Sequence, residues 1–431
     1  MKSWFQPLVN AFKLPDLRRK IVFTLCILLI YRIGVAIPMP FVNANVLEIL
    51  RYQAGGSMFQ YLDILSGGAF ANATLFALGI SPYITSSIVM QLLTVAIPAL
   101  ERMSKEGEEG KKKITQITRY VTVALALITS YGYYMLMKNQ GMLTDNGWFA
   151  AVIIIACYCA GSALVMWLGE KINENGIGNG ISIILFANIV SGGVSVAETV
   201  ITSFKAGTVT GFIVPIVALI VALLMVYFIV FVTESERRLP VVYAKRVVGR
   251  KMYGGQSSNL PLKLNMSGVM PVIFANSILA IPSTLALIFP PKKGSFWSGT
   301  VSFLSSSSWF YPLILLVFII AFGYFYVLIS FNPLEVSNNL KNNGGSIPGF
   351  RPGKPTADYI TKVLNKITLI GSLFLSVVAI FPIITNLIFH SSFSGIAFGG
   401  TSVLIVVGVA LETAREIEAQ MSMRGYRGFL E

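Results

Sequence analysis

Hydrophobic residues in this chain are gathered into long apolar runs that are separated by short polar stretches. A helix needs about 20 apolar residues to cross a hydrocarbon core of about 30 Å. By that measure, ten runs predict membrane-spanning helices, and the fold is expected to be all-α. The runs lie at residues 21–38, 74–97, 119–137, 148–168, 181–202, 211–232, 268–289, 310–331, 363–389 and 398–414.

Composition and charge agree with a multi-pass membrane protein and predict its orientation. Of 431 residues, 55% are hydrophobic and only 12% are charged, against about 25% charged in a soluble protein. With ten spans both termini lie on one side, and that side carries 27 of the 33 lysines and arginines, with five opposite and Arg32 inside the first span. Basic segments stay in the cytoplasm. We therefore predict cytoplasmic termini, with residues 1–20 as an amphipathic interfacial segment.

Ten spans divide into two sets of five, at residues 21–205 and 206–431. An odd number of spans in each set forces the second set to enter the membrane inverted, and inverted repeats build pathways at their interface. Residues 79–84 (GISPYI) and 268–273 (GVMPVI) begin the second span of each set in the same way. The alternative is that both are ordinary helix starts that contain proline.

A short apolar run from Phe59 to Leu65 leads into Ser66, Gly67 and Gly68. Because a helix rises about 1.5 Å per residue, so short a run cannot cross the membrane. A half-helix at membrane depth has to be enclosed by protein or by a water-filled cavity. This stretch, followed by an unusually polar second span, is typical of a pathway through the membrane.

These features resemble the SecY family of protein-conducting channels, and the resemblance extends over almost the whole chain. It implies the channel subunit of the bacterial protein translocase: two inverted five-helix halves around an hourglass pore, in the cytoplasmic membrane. Such a pore translocates unfolded secretory polypeptides and releases transmembrane segments sideways into lipid. It is passive, so no enzymatic activity, cofactor or metal is expected, and the SecA ATPase or the translating ribosome supplies the energy.

The resemblance also implies a collar of aliphatic side chains at the narrowest point of the pore. An apolar constriction excludes ions and water by dewetting. Spacing alone places Ile80 beside Ile84, and Ile181 beside Leu185, on shared helix faces. Without the resemblance, these would be ordinary core residues. The implied collar consists of Ile80, Ile84, Ile181, Leu185, Ile273 and Ile405.

Two further elements are implied, a plug at about residues 58–71 and a lateral gate between the second and seventh spans. The plug could instead be a re-entrant loop that never moves, and the gate residues could be static polar contacts between helices. The implied gate residues are Ser87, Gln91 and Asn276. The implied plug residues are Phe59, Leu62, Ile64, Leu65, Ser66, Gly67 and Gly68.

The cytoplasmic loops 233–267 and 332–362 are too long and too basic to be simple connectors. The resemblance implies that they bind SecA and ribosomal RNA, whose phosphates attract basic clusters. It also implies SecE and SecG as membrane partners and signal sequences as substrates. The positive-inside rule explains why these loops carry a positive net charge, but not why they are so long. The implied binding residues are Arg237, Arg238, Lys245, Arg246, Arg250, Lys251 and, on a Gly/Pro-rich stiff tip, Arg351.

Two other classes of function, a secondary transporter and an intramembrane enzyme, fit the sequence less well. A secondary transporter usually carries ionisable residues within its spans, and here only Arg32 and Glu412 lie near span ends. An intramembrane enzyme would need a catalytic set of side chains within its spans, and none is evident.

Two polar stretches between spans predict turns. The glycine-rich residues 176–180 predict a turn and not a phosphate loop, and residues 99–118 predict a solvated turn.

Overall fold

The computed structural model describes residues 12–42, 63, 66–145, 147–205, 209–243, 246–248, 251–253, 257–289, 295–304, 308–389 and 400–425. The helices are α1 (Pro15–Ala36), α2 (Ser81–Ala96), α3 (Pro98–Lys105), α4 (Glu108–Asn139), α5 (Trp148–Asn175), α6 (Gly180–Lys205), α7 (Val209–Glu234), α8 (Met270–Ile288), α9 (Phe296–Phe303), α10 (Tyr311–Ser330), α11 (Pro333–Asn342), α12 (Lys354–Phe389) and α13 (Gly400–Gly425). The strands are β1 (Glu236–Tyr243), β2 (Arg246–Val248), β3 (Lys251–Tyr253), β4 (Ser257–Lys263) and β5 (Gly345–Ser346).

The fold is mostly helical, and each of the ten predicted runs overlaps one of the longer helices. Within the described residues, five helices are long and apolar enough to cross a membrane, or six if α2 and α3, bent by 100°, form one span. Shorter apolar stretches lie in α6 and α8, at Gly180–Gly193 and Met270–Ala286. The count of ten spans stays a prediction.

The predicted helix at 74–97 begins later than expected. It is helical only from Ser81, and residues 67–80 form turns. Ala73 and Gly79 have φ angles of 44° and 53°, which lie in the left-handed region that a right-handed helix cannot include. Apolar periodicity therefore placed the helix start one to two turns too early.

Residues 67–80, which we call the re-entrant segment, are enclosed by protein. The Leu75 amide donates a hydrogen bond to the Ile37 carbonyl at 3.0 Å, and the Met39 amide donates to the Ala73 carbonyl at 3.3 Å. Irregular backbone at membrane depth is tolerated only in such an enclosed position. The buried side chains of the segment are Ala69, Phe70, Ala71, Ala73, Thr74, Phe76, Ala77 and Ile80.

The expectation of an all-α fold is wrong at the two long basic loops, residues 233–267 and 332–362. Strand β1 pairs antiparallel with β4 over seven Cα pairs and also with β5, so the sheet order is β4-β1-β5. Since β5 belongs to the second loop, one sheet joins both loops. Leu239 and Val241 of β1 are buried while their neighbours Arg238, Pro240 and Val242 are exposed. This alternation is typical of a β-strand. The strand was not predicted because the loops were interpreted from their charge and their Gly/Pro content.

The predicted solvated turn at 99–118 is largely helical. It contains most of α3 and the start of α4, joined at Gly107, whose φ is 79°. Glu101 and Lys105 form an i,i+4 ion pair at 2.6 Å on α3, an arrangement that supports a short helix. The hydrogen bond from Lys105 lowers the pKa of Glu101 below its ordinary value.

The two glycine–proline motifs share one backbone conformation. Gly79 and Gly268 both have positive φ, 53° and 60°. The next residues, Ile80 and Val269, have φ −93° with ψ −2° and −6°, and each precedes a helix with proline in its first turn. An ordinary proline-containing helix start does not require a left-handed glycine before it. The shared conformation therefore supports the repeat hypothesis.

Helices from the two predicted halves meet at two seams. Helix α8 contacts α2 and α4, and α13 contacts α6. A single apolar cluster spans both seams, because it includes buried residues of α1, α2, α5 and α6 together with residues of α7, α8, α10, α12 and α13. The predicted collar residues belong to this cluster or pack against it.

Candidate functional site

The six side chains predicted to form the collar come from α6, α8, α13 and the start of α2. Burial of such branched side chains from four helices produces a dry apolar centre. All six belong to, or pack against, the same apolar cluster, and five of them are buried. They are Ile80 (1% exposed), Ile84 (6%), Leu185 (0%), Ile273 (4%), Ile405 (1%) and the half-buried Ile181.

Gly169 of α5 shows how closely two of these residues approach each other. A Cβ atom on Gly169 would lie 3.8 Å from both Ile80 Cδ1 and Ile181 Cγ1. The side chains from α2 and α6 therefore meet over the same glycine. Ile84 and Ile273 occupy the same position in the two glycine–proline motifs. The structure brings the six residues into one cluster, and their action as a collar stays a prediction.

The predicted plug is described only in part. Phe59, Leu62, Ile64 and Leu65 lie outside the described residues, whereas Ser66, Gly67 and Gly68 lie inside them. Ser66 is buried, and its Oγ accepts a hydrogen bond from the Phe70 amide at 3.0 Å. The Gly67 and Gly68 φ angles are 68° and 86°, and this left-handed turn favours glycine.

Three helices hold this turn in place. Arg32 Nη1 of α1 donates to the Gly67 carbonyl at 3.3 Å, and Tyr133 Oη of α4 donates to the Phe70 carbonyl at 2.5 Å. A Cβ atom on Gly67 would lie 2.8 Å from Asn188 Oδ1 of α6. Sequence reasoning missed Arg32, Tyr133 and Asn188 as contacts of the turn, because nothing in the sequence links these distant positions.

Two glycines allow the re-entrant segment to approach its neighbours. A Cβ atom on Gly34 of α1 would overlap the Phe76 ring, and one on Gly161 of α5 would overlap the Leu75 carbonyl oxygen. Small residues let membrane helices pack closely in this way. The segment is therefore fixed against three helices of the first predicted half, α1, α4 and α5, in addition to its contact with α6.

The predicted gate residues belong to α2 and α8, two helices that contact each other. Asn276 is buried, and its hydrogen bonds join the Val272 carbonyl, at 2.9 Å, and the Tyr311 hydroxyl, at 3.5 Å. Ser87 is half-buried and Gln91 is exposed. Among the described residues, no hydrogen bond joins Ser87 or Gln91 to Asn276. Whether these residues act as a gate or as static contacts between helices stays a prediction.

The two basic loops form one unit, which we call the basic platform and define as residues 236–243, 257–263 and 333–367. It has an apolar core separate from that of the spans. Such a core makes a unit rigid, so the loops are not independent connectors. The buried core residues are Leu239, Val241, Leu262, Ile347, Ile360, Leu364 and Ile367.

Arg237 and Arg238 lie exposed on β1 of the basic platform, where Arg238 Nε contacts Glu236 Oε1 at 2.7 Å. An exposed ion pair of this kind contributes little stability, so these cations are available to a partner. Four other residues of the first loop were predicted to bind a partner. Lys245 and Arg250 lie outside the described residues, whereas Arg246 and Lys251 lie on the paired strands β2 and β3.

Arg351 lies exposed at the tip of the second loop, between Gly349 and Gly353, whose φ angles are 86° and 103°. Its carbonyl accepts a hydrogen bond from Thr356 Oγ1 at 2.8 Å, and the Gly353 carbonyl accepts one from Ser337 Oγ at 2.6 Å. These two hydrogen bonds support the predicted stiff tip. It fixes the backbone and presents the guanidinium to solvent.

A polar cavity of about 390 Å³ lies between α1, the turn at 176–180 and α13. Lys20 Nζ of α1 donates a hydrogen bond to Gln420 Oε1 of α13 at 3.2 Å and so links the two predicted halves. Beside the cavity, the hydrogen bond from Lys171 lowers the pKa of Glu174. The glycine-rich run is a turn, as predicted.

Comparisons with known proteins agree on one family. A sequence model of the SecY family matches residues 74–414. The chain is 44% identical over 436 residues to the protein translocase subunit SecY of Streptomyces galbus, covering 98% of each chain. Among solved structures, it is similar to a SecY channel whose plug domain stabilises the closed state, with TM-score 0.66, 19% identity and coverage of 94% and 92%. It is also similar to the channel of the canine ribosome–channel complex from the endoplasmic reticulum, with TM-score 0.62, 18% identity and the same coverage.

Proposed function

This chain belongs to the SecY family, and from that membership we propose that it forms the central pore of a protein translocase. Unfolded secretory polypeptides cross the membrane through this pore, and transmembrane segments leave it sideways into lipid. The family is one of protein-conducting channels and not of enzymes. The observation that carries the proposal is that the six predicted collar residues, from both proposed halves, belong to one apolar cluster or pack against it.

The pore lies between two inverted halves of five spans each, residues 21–205 and 206–431. The shared conformation of the two glycine–proline motifs supports this arrangement, because equivalent helices of a repeat begin alike. Ile84 and Ile273, at the same position in the motifs, then face the pore from opposite halves. A collar of such residues excludes water and ions at rest and parts around a polypeptide.

The plug comprises about residues 58–71, and its C-terminal end is the turn that Arg32 and Tyr133 hold. The lateral gate is the seam between α2 and α8, near Ser87, Gln91 and Asn276. Interhelical hydrogen bonds in membranes stabilise by about 0.6 kcal/mol each on average. A seam without such bonds separates readily, which supports a gating role.

The basic platform is the docking surface for the energy source, either the SecA ATPase or the ribosome. Its exposed Arg237, Arg238 and Arg351 support this assignment, since basic groups bind acidic protein surfaces and RNA phosphates. SecE and SecG are the expected membrane partners. The charge asymmetry of the sequence supports a bacterial cytoplasmic membrane location with both termini in the cytoplasm.

Transport by purified components tests this proposal. The chain, reconstituted into vesicles with its membrane partners, should import a preprotein only when a motor ATPase and ATP are present. Vesicles that contain Ile84→Asn, which places an amide in the collar, should leak ions at rest and still import the preprotein. Import by vesicles that lack the chain would contradict the proposal, as would an intact ion seal in the collar variant.

A further inference from the structure

A groove of about 750 Å³ opens on the basic platform, where α12 enters the predicted span 363–389. It lies between β1, the tip of the second loop and the exposed side of α12. One wall is the stacked pair of Phe350 and Tyr359, whose ring centroids are 4.1 Å apart. The groove joins a basic rim of Arg237, Lys362 and Lys366 to an apolar floor of Val363, Ile367 and Ile370.

The rim has an excess of positive charge. Lys362 and Lys366 are exposed and lie one turn apart on the same face of α12, where like charges repel each other. No ion pair of the described residues involves either lysine or Arg237. Asp358 also lines the groove, which leaves two positive charges in excess. This arrangement favours an anion between the three cations.

The floor continues into an apolar strip along α12. Ile370 is 56% exposed, and below it Leu373 (51%), Val377 (53%) and Phe381 (44%) follow on the same helix face. A helix rises about 1.5 Å per residue, so Lys366 lies about 6 Å above Ile370 along the axis. The cations therefore lie at the end of the apolar strip, directly above a surface suited to acyl chains, as expected where the predicted span 363–389 meets the lipid headgroups.

We propose that this groove binds an anionic phospholipid. Its phosphate contacts Arg237, Lys362 and Lys366, and one acyl chain lies along Ile370 and Leu373. A free phosphate would leave the apolar floor uncovered, whereas a lipid satisfies both the charge and the floor. The inference rests on the proposed membrane location of α12.

Lipid retention tests the rim. The full chain, with any subunits that co-purify, is incubated with equimolar phosphatidylglycerol and phosphatidylcholine, and the retained lipids are measured by mass spectrometry. We expect about tenfold enrichment of phosphatidylglycerol, which Lys362→Gln with Lys366→Gln removes. Lys111→Gln with Lys112→Gln, an equal charge change on α4, should keep it. The assignment would be overturned if the Lys362→Gln, Lys366→Gln variant kept the enrichment. It would also be overturned if this variant and the Lys111→Gln, Lys112→Gln control lost the enrichment equally.

A photo-crosslinking residue at position 370 identifies the occupant directly. The expected adduct has the mass of phosphatidylglycerol and persists in excess inorganic phosphate. An adduct with a polypeptide would assign the groove to a protein partner, and displacement by phosphate would make it a free-anion site; either result refutes the lipid proposal. Neither readout measures polypeptide transport, so failure here remains distinct from failure of the channel proposal.

Discussion

Single residues decide how firmly the re-entrant segment is held. Tyr133 is buried, and its hydroxyl donates to the Phe70 carbonyl at 2.5 Å while its ring packs 4.5 Å from the Phe70 ring. Tyr133→Phe keeps the ring contact and removes the hydrogen bond, which is typically worth about 1 kcal/mol. We expect a lower unfolding temperature in detergent and a faster ion leak from reconstituted vesicles.

Tyr134→Phe is the matched control for this change. Tyr134 is also buried on α4, and no hydrogen bond of the described residues involves its hydroxyl. Removal of the Tyr134 hydroxyl should alter neither the unfolding temperature nor the ion leak from reconstituted vesicles. Equal effects of the two variants would mean that the Tyr133–Phe70 bond does not hold the segment.

The exposed guanidinium of Arg351 is expected to act on a partner and not on folding. The exposed Arg351 side chain makes no hydrogen bond or ion pair with the described residues, so Arg351→Ala should leave the unfolding temperature unchanged. ATP-driven preprotein import should fall by at least about tenfold, because the loss of a charged anchor at an interface costs about 2 kcal/mol or more. Lys341→Ala, at an exposed lysine of the same platform, is the control. Normal import by Arg351→Ala would remove the docking assignment.

At the scale of elements, the basic platform should behave as one unit because its core is shared. Ile360 of α12 is fully buried in that core, and truncating such a residue costs about 2–5 kcal/mol. Ile360→Ala should increase hydrogen exchange in β1 and β4 of the first loop together with β5 of the second. Leu334→Ala, at a residue 56% exposed, should change neither loop. Faster exchange in only one loop would refute the shared core.

Close packing of α5 against the re-entrant segment makes a second prediction at this scale. A methyl group on Gly161 would overlap the Leu75 carbonyl oxygen, whereas a Cβ on Gly299 of α9 meets no atom within 4 Å. Gly161→Ala should lower the unfolding temperature and increase the leak. Gly299→Ala should be neutral or slightly stabilising, since alanine is the better helix former by up to about 1 kcal/mol. If Gly161→Ala changed neither the unfolding temperature nor the ion leak, the re-entrant segment would not depend on close packing against α5.

Some of these elements could be predicted from the sequence and others could not. Apolar runs located the long helices, because the periodicity and length of a span are local properties. They misplaced the start of α2, since the left-handed Ala73 depends on tertiary contacts of the re-entrant segment. The pairing of β5 with β1 joins residues about a hundred positions apart, and no local pattern indicates it. The contact of Tyr133 with Phe70 was missed for the same reason.

At the scale of the whole molecule, the re-entrant segment and the contact between α2 and α8 are held in different ways. Arg32 and Tyr133 tie the re-entrant segment to its own half, whereas α2 and α8 meet without a hydrogen bond among the gate residues. Apolar contacts between membrane helices gain little over contacts with lipid. We therefore expect the two proposed halves to separate along α2 and α8 while each keeps its internal structure.

The most direct test of this account asks what a translocating polypeptide touches. In a chain whose Cys26, Cys157 and Cys159 are replaced by serine, single cysteines are placed at Ile84, at Ile405 and at Val217, which is 43% exposed on α7. A stalled preprotein that carries one cysteine should form disulfides with the positions at Ile84 and Ile405, which come from both halves, and not with the position at Val217. A stalled chain that links to Val217 and to neither collar position would contradict a pore between the halves.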